Sequence, residues 1–273
     1  MPRLLRSALL AALSIGMVLA QKPAFPPAPR AADGHPDLTG VWQGNTNRPG
    51  SWEEANTGFG VGQTGDPAPS QTQRPSQQPL PPRDPPPYQP WAAAKVLESF
   101  NRRGIDDPAA RCLAGGVPRA NLTGLFPIQI VQTPQQIVIL YEYMRIFRVI
   151  PLNAKHPYDL EPTYMGDSVG HWEGNTLVVD VTGFNGKTWL GPTGTFHTEA
   201  LHVTERYTRV NRDTIDYDVT MEDPNVFTKP WTIHTNMMLR QGTRLREYEC
   251  GENNEDVKEY EKLLKDESVF RRK

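Results

Sequence analysis

The chain has 273 residues, a net charge of −2 and 37% hydrophobic residues. That length suits one large domain or two small ones. A charge so close to zero builds no field that would draw nucleic acid or an anionic membrane surface, so neither is an expected partner.

Arg3 and Arg6 precede an apolar run over residues 8–20, broken only by Ser14. Val18 and Ala20 stand at the −3 and −1 positions of a small-residue cleavage site, which predicts a signal peptide over 1–20 cut before Gln21. The run is shorter than the ~20 apolar residues of a membrane span. No cysteine follows the cut to carry a lipid anchor, and no other stretch approaches the ~20 apolar residues of a spanning helix, so no integral membrane segment is expected after cleavage. An uncleaved anchor is the alternative.

Residues 21–90 form a Pro/Gly-rich N-terminal segment with one early strand over 37–43, where Val41 and Trp42 sit. Residues 44–90 then lose periodicity and end in proline-rich sequence, a composition that cannot order itself alone. They are a disordered linker or a strap across the surface. A helix is predicted over 90–100: Pro90 suits its first turn, three alanines favour it, and Gly104 suits its end.

From Phe126 onward the pattern is β. Strands are predicted at 127–132, 136–143, 145–150, 168–172, 176–182, 200–210, 214–222, 231–239 and 243–250, joined by turns such as Gly174-Asn175 and Arg212-Asp213. Within 214–222, Ile215, Tyr217, Val219 and Met221 share one face and Asp216, Asp218 and Thr220 the other. Seven to nine short strands in series make an antiparallel meander, and closing it removes exposed edges. The predicted fold over 91–273 is therefore mainly β: a lipocalin-like antiparallel barrel with a preceding helix and a short C-terminal helix, from the spacing of Val257, Tyr260 and Leu264. An eight-strand barrel is just wide enough to hold side chains or one small ligand.

Cys112 and Cys250 both lie in the mature chain. After export an even pair is expected to form a disulfide, with two buried thiols as the alternative.

The densest polar cluster is TFHTEALHVTERY, residues 195–207. In an extended strand His197, Glu199, Leu201, Val203, Glu205 and Tyr207 point one way, and His202, Thr204 and Arg206 the other. Glu205 among apolar neighbours would have a raised pKa suited to proton transfer, with His197 and Glu199 at the barrel mouth. Arg145 or Arg148 would hold an oxyanion, or would instead pair with Glu205 as a structural ion pair. His197, Glu199 and His202 also make a candidate metal set for one divalent transition metal, provided a bulge turns both histidines to one side. No metal at all is the other cofactor expectation. Asp167 and Trp172 in the glycine-rich stretch 165–174 read as a pocket rim, or Asp167 with Ser168 as an Asx-turn. Tyr143, Lys229 and Trp231 complete the candidate substrate-binding residues. His156 and His234 could complete such a site from elsewhere in the chain, or be lone surface histidines.

Several long motifs accompany these residues: RCLAGGVPR at 111–119, MGDSVGHWEGNTLVVD at 165–180, HTEALHVTER at 197–206 and DPNVFTKPW at 223–231. In them the chain resembles a large family of exported, mostly uncharacterised bacterial proteins. His171 stands where that pattern carries arginine before the tryptophan. The resemblance implies a periplasmic or secreted setting and no activity. Three functions follow as expectations: acid–base chemistry (a lyase, isomerase or hydrolase) on a small apolar, aromatic or glycan-derived molecule in the barrel; non-catalytic carriage of such a ligand; or a metal-dependent enzyme built on the histidine cluster.

Overall fold

A computed structural model describes residues 25–44, 86–102, 106–122, 126–191, 194–252 and 254–266. The expected signal peptide and most of the 44–90 stretch lie outside the described residues. One sheet of nine strands runs β1 (Gly40–Gly44), β2 (Ile128–Gln132), β3 (Gln136–Tyr141), β4 (Phe147–Pro151), β5 (Asp167–Glu173), β6 (Thr176–Thr182), β7 (His202–Asn211), β8 (Thr214–Glu222) and β9 (Trp231–Leu239). Its order is β4-β3-β2-β1-β9-β8-β7-β6-β5, so β1 pairs with β9 and the two edges, β4 and β5, meet. The result is the nearly closed antiparallel barrel that the strand pattern predicts. Three α-helices among the described residues join it: α1 (Pro90–Asn101), the single turn α2 (Arg119–Leu122) and α3 (Glu255–Lys265). No helix among the described residues is long and apolar enough to cross a membrane.

Period-two alternation sets what the barrel contains. On β7 the buried positions are Val203, Glu205, Tyr207 and Arg209; on β8 they are Ile215, Tyr217, Val219 and Met221. The outward positions are Thr, Asp, His and Arg, as a wet outer surface requires. One expected strand is absent: residues 243–249 carry no strand pairing. Every position on the ring beside β9 is already taken, by β8 and β1, so the tail crosses the outside as a strap.

Nine strands have a geometric consequence. In a closed ring, neighbours can alternate in direction only when the number is even, so one pair must run parallel. That pair is β4 with β5, and the contact between them is a parallel bridge, Leu152 to Gly170, with Asn153 N–H donating to the Gly170 carbonyl at 2.7 Å. Glycine gives a close fit there. A Cβ on residue 170 would lie 3.0 Å from Ile150 Cγ2 and 3.1 Å from Leu152 Cδ2. Towards the first residues of the two strands the seam opens into a cavity of about 370 Å³ beside Arg148, Ser168, Tyr164 and Asp167.

The connection over this seam, residues 152–166, is pinned by His156. Its Nδ1 lies 2.5 Å from Asp167 Oδ2 and its Nε2 2.8 Å from Asp180 Oδ1. An ionised carboxylate only accepts, so both ring nitrogens carry protons and His156 is an imidazolium clamped between two strands. Asp180 Oδ2 in turn accepts from His202 Nε2 at 2.7 Å. Burial works against the charge on His156, but the hydrogen bonds to Asp167 and Asp180 outweigh it and raise its pKa above 6.5. Asp180 is also partly buried, yet its two histidine partners hold its pKa below 3.8. A raised histidine binds its proton more tightly when folded, so its contribution is full below pH 6.5 and is lost as pH rises through the folded value. The lowered Asp180 contributes above pH 3.8 and loses that on acidification. Protection of residues 153–166 against hydrogen exchange, corrected for the intrinsic rate, is therefore expected to peak between those limits and to fall above the folded pKa of His156. In a His156→Gln variant that alkaline change should vanish; its persistence would remove the clamp from the explanation.

Each end of the barrel is covered. At one end Arg209 donates to the Asp37 carbonyl and sits 4.9 Å over the Trp42 ring, whose Nε1 donates to the Leu38 carbonyl at 2.8 Å. At the other end, where β6 finishes and β7 begins, lie residues 183–191 and 194–201, α1 and residues 106–122.

Candidate functional site

The end covered by α1 and residues 106–122 drives one side chain into the barrel. Asn121 of α2 is 3% exposed and reaches Glu205, which is 0% exposed. Glu205 Oε1 accepts from Asn121 Nδ2 at 2.7 Å, Tyr207 OH at 2.8 Å, Tyr217 OH at 2.7 Å and Arg148 Nη1 at 3.3 Å. Oε2 accepts from Arg148 Nη2 at 2.6 Å. Tyr141 OH donates to Asn121 Oδ1 at 2.9 Å, which orients the amide with its nitrogen toward the carboxylate. Ser168 Oγ accepts from Arg148 Nη2 at 2.8 Å and so ties β4 to β5 inside the barrel. Burial raises the Tyr141 hydroxyl to a pKa of about 12, and burial followed by the charge of Glu205 raises Tyr207 and Tyr217 as well. All three remain protonated donors. For Arg148 burial opposes the charge, and the carboxylate of Glu205 more than restores it. This cluster is closed: every oxygen of Glu205 is occupied by protein.

The candidate residues of the sequence reading are thereby separated. Arg148, not Arg145, is the partner of Glu205. Arg145 is exposed at positive φ and pairs with Glu247 and Glu249 of the tail strap. His197 has no contact with Glu205. It lies at the covered end, 3% exposed, with Nδ1 2.9 Å from the Thr198 carbonyl and Nε2 2.6 Å from Thr188 Oγ1. A carbonyl only accepts, so Nδ1 carries the proton and Nε2 accepts the Thr188 hydroxyl. Burial lowers the His197 pKa below 6.5, which keeps the ring neutral. Glu199 is exposed in a turn, and His202 faces outward to Asp180. The expected metal set of His197, Glu199 and His202 thus points to three different surroundings: only His202 belongs to β7, and the expected extended strand does not reach back to His197 and Glu199, which lie in the coil and turn before it. Among the described residues no group of three His, Cys, Asp or Glu is arranged to hold a metal ion.

The expected binding residues disperse in the same way. Tyr143 stacks on Phe126 and touches Tyr248. Trp172 stacks on His35 at 4.6 Å near the opposite end. Asp167 belongs to the His156 clamp rather than to an Asx-turn. Trp231 is buried against Phe227, and Lys229 is exposed in the β8–β9 loop.

What the fold does assemble is a cleft of about 620 Å³ at the covered end. One wall is α1, with Lys95, Glu98 and Ser99, and Arg102 just after it; a second is Asp106, Pro108, Arg111 and Leu113; the third is Gly186, Lys187, Thr188, Trp189, Phe196 and His197, with Tyr164 from the seam connection. α1 buries Ala92 and Val96 and leaves Lys95 and Glu98 at the cleft, because those two positions lie on a different side of the helix. Lys95 Nζ sits 4.3 Å over the Phe196 ring.

The second wall is held rigidly. Its 3-10 turn, Pro108–Arg111, begins with Asp107, whose Oδ1 accepts from Ala109 N at 3.0 Å. Both oxygens of Asp107 also accept from Arg119 at 2.7 Å. The next residue, Cys112, ends the turn in the left-handed region and forms a disulfide with Cys250. α3 packs on the same turn. Close packing continues at Thr188: a Cβ on Gly116, at φ +73°, would fall 2.5 Å from Thr188 Oγ1, so glycine there admits the hydroxyl that serves His197.

Arg111, Lys187, Thr188 and Trp189 were not singled out by sequence reasoning. The signal within reach was the position of Arg111, immediately before a cysteine expected in a disulfide.

In class, the chain is a nine-strand, end-capped antiparallel barrel with its polar cleft on the cap rather than in the lumen. Comparison with models of protein families, with curated proteins and with solved structures yields no match for this chain.

Proposed function

We propose that this is an exported small-molecule-binding protein whose ligand, a small molecule with an aromatic part, occupies the cap cleft. The observation that carries this reading is the cleft itself. Its volume falls within the ~300–1,000 Å³ of ordinary ligand sites. Its walls come from three chain segments braced by a disulfide, an ion pair and a helix, so it is formed before any ligand arrives. The barrel interior supports this less well, because its central polar groups already satisfy one another and Trp42, Tyr207 and Tyr217 are fully buried there. Native mass spectrometry of mature protein made in an oxidising compartment tests the reading. A copurifying organic mass that a Ser99→Trp variant loses is the expected result. Retention of that mass by the variant would place the ligand elsewhere.

One observation favours a second reading, an enzyme working by acid–base chemistry. Thr188 and His197 form a hydroxyl–imidazole pair whose base is oriented by a third group, the Thr198 carbonyl, itself fixed by Asp223 through Thr198 N at 2.6 Å. A ligand proton would pass to Thr188 Oγ1 as that hydroxyl delivers its own to His197 Nε2. In this reading incubation changes the mass of the copurified ligand, and His197→Gln lowers the rate by ~10²–10⁴-fold while binding is retained. Recovery of the ligand unchanged after long incubation would leave the binding reading alone.

A further inference from the structure

We infer that the ligand of the cap cleft is an aromatic carboxylate, its carboxylate held by Arg111; this rests on the cleft being the ligand site. Charge is the first indication. Arg102 and Asp106 neutralise each other through two hydrogen bonds, one of them 3.0 Å from Nη2 to Oδ1. What remains around the cleft is Lys95, Arg111 and Lys187 against the single carboxylate of Glu98. His197 is neutral, so it adds no charge of either sign. Unlike the Glu205 cluster, the cleft therefore has, among the described residues that line it, more cations than carboxylates.

Arg111 is the focus of that excess. Its Nε is buried and has no hydrogen-bond partner among the described residues. A buried charged donor left unmet is costly, so this guanidinium has hydrogen-bonding capacity that the described residues do not use. A guanidinium presents a planar fork that matches the two oxygens of a carboxylate. The turn carrying Arg111 is fixed by Asp107, Arg119 and the disulfide, so the fork is presented without a loss of backbone freedom on binding. Beside it Phe196 is 6% exposed and Trp189 9% exposed. Both border the cleft and give it a narrow apolar edge, with Lys95 Nζ over the Phe196 ring. The cation at one side and the apolar edge of Trp189 and Phe196 at another suit a short molecule with a carboxylate head and an aromatic body.

Trp189 makes the test direct. Quenching of tryptophan fluorescence is measured on the full mature chain with 4-phenylbutyrate and with 4-phenylbutyramide, which differ in charge and hardly in size. The carboxylate is expected to bind at least tenfold more tightly, with an advantage that shrinks as salt rises. Arg111→Met should abolish the advantage, and Lys187→Gln, at an exposed site that leaves the turn untouched, should reduce it. Equal affinity for acid and amide, or an acid preference untouched by both variants, overturns the inference while leaving the cleft as the site. Binding of either probe that survives Ser99→Trp, or no binding of any probe, overturns the reading of the cleft and the inference with it.

Discussion

Replacing Arg148 with methionine is expected to lower the stability of the fold by ~3–5 kcal/mol, the usual cost of removing one half of a buried ion pair. The reason lies in what is left behind. Glu205 is completely buried and would keep its three neutral donors, Asn121, Tyr207 and Tyr217, but no compensating charge. Ser168 would lose its link from β5 to β4 as well, at the seam where the barrel's own hydrogen bonding is thinnest. Glu205→Gln should also destabilise, since an amide placed there turns either an NH2 or a lone oxygen toward Arg148. The double variant removes both charges and is expected to be less damaged than the sum of the two single changes. Urea denaturation of the four proteins measures this. A loss for Arg148→Met under ~1 kcal/mol, within the range of ordinary substitutions, would show that the pair is not a keystone of the barrel.

The second large effect concerns the disulfide. Cys112 and Cys250 are separated by 138 positions, and closing a loop of that size restricts the unfolded chain strongly. In the chain-entropy treatment a loop of ~100 residues corresponds to ~4.7 kcal/mol, while removal of native disulfides usually costs ~2–5 kcal/mol. The Cys112→Ser, Cys250→Ser variant should accordingly melt well below the parent, and the parent in reductant should approach it. A further consequence is local. Cys112 directly follows Arg111, so loss of the bridge frees the wall of the cleft as well as the chain. Ligand affinity should fall at temperatures where the variant is still folded. A variant that melts with the parent would assign the bracing of the cap to Asp107, Arg119 and α3 instead.

The ion pair and the disulfide differ in how far their residues alone reveal them. The alternation in 202–211 and 214–222 reveals which side chains enter the barrel, because a strand side chain has only two faces to choose from. Glu205 is therefore recognisable as an inward carboxylate from the strand pattern alone. Its partner is not. Arg145 and Arg148 lie three positions apart, and the choice depends on the phase of β4, where Phe147 and Val149 turn outward and Arg148 inward. Arg145 has left the strand altogether in a short 3-10 turn. The 243–250 segment shows the converse failure. Its residues alternate well enough for a strand, but the ring offers no free place beside β9.

Local pattern thus determined the elements that depend on neighbours along the chain: the hairpins, the inward faces, α1, α3 and the barrel class. Cysteine count fixed the partners of any internal bridge, since two cysteines, Cys112 and Cys250, allow only one. Packing alone decided the rest. Parity of nine strands forces a parallel seam, and only the closed ring has parity. The cleft joins Lys95 and Arg111 to Lys187 and His197 across more than seventy positions, and no periodicity relates them. His156 becomes a clamp because the seam connection lies over Asp167 and Asp180. Each of these is a contact between segments remote in sequence, where the energy of burial and pairing, rather than the preference of any residue for its own conformation, selects the arrangement.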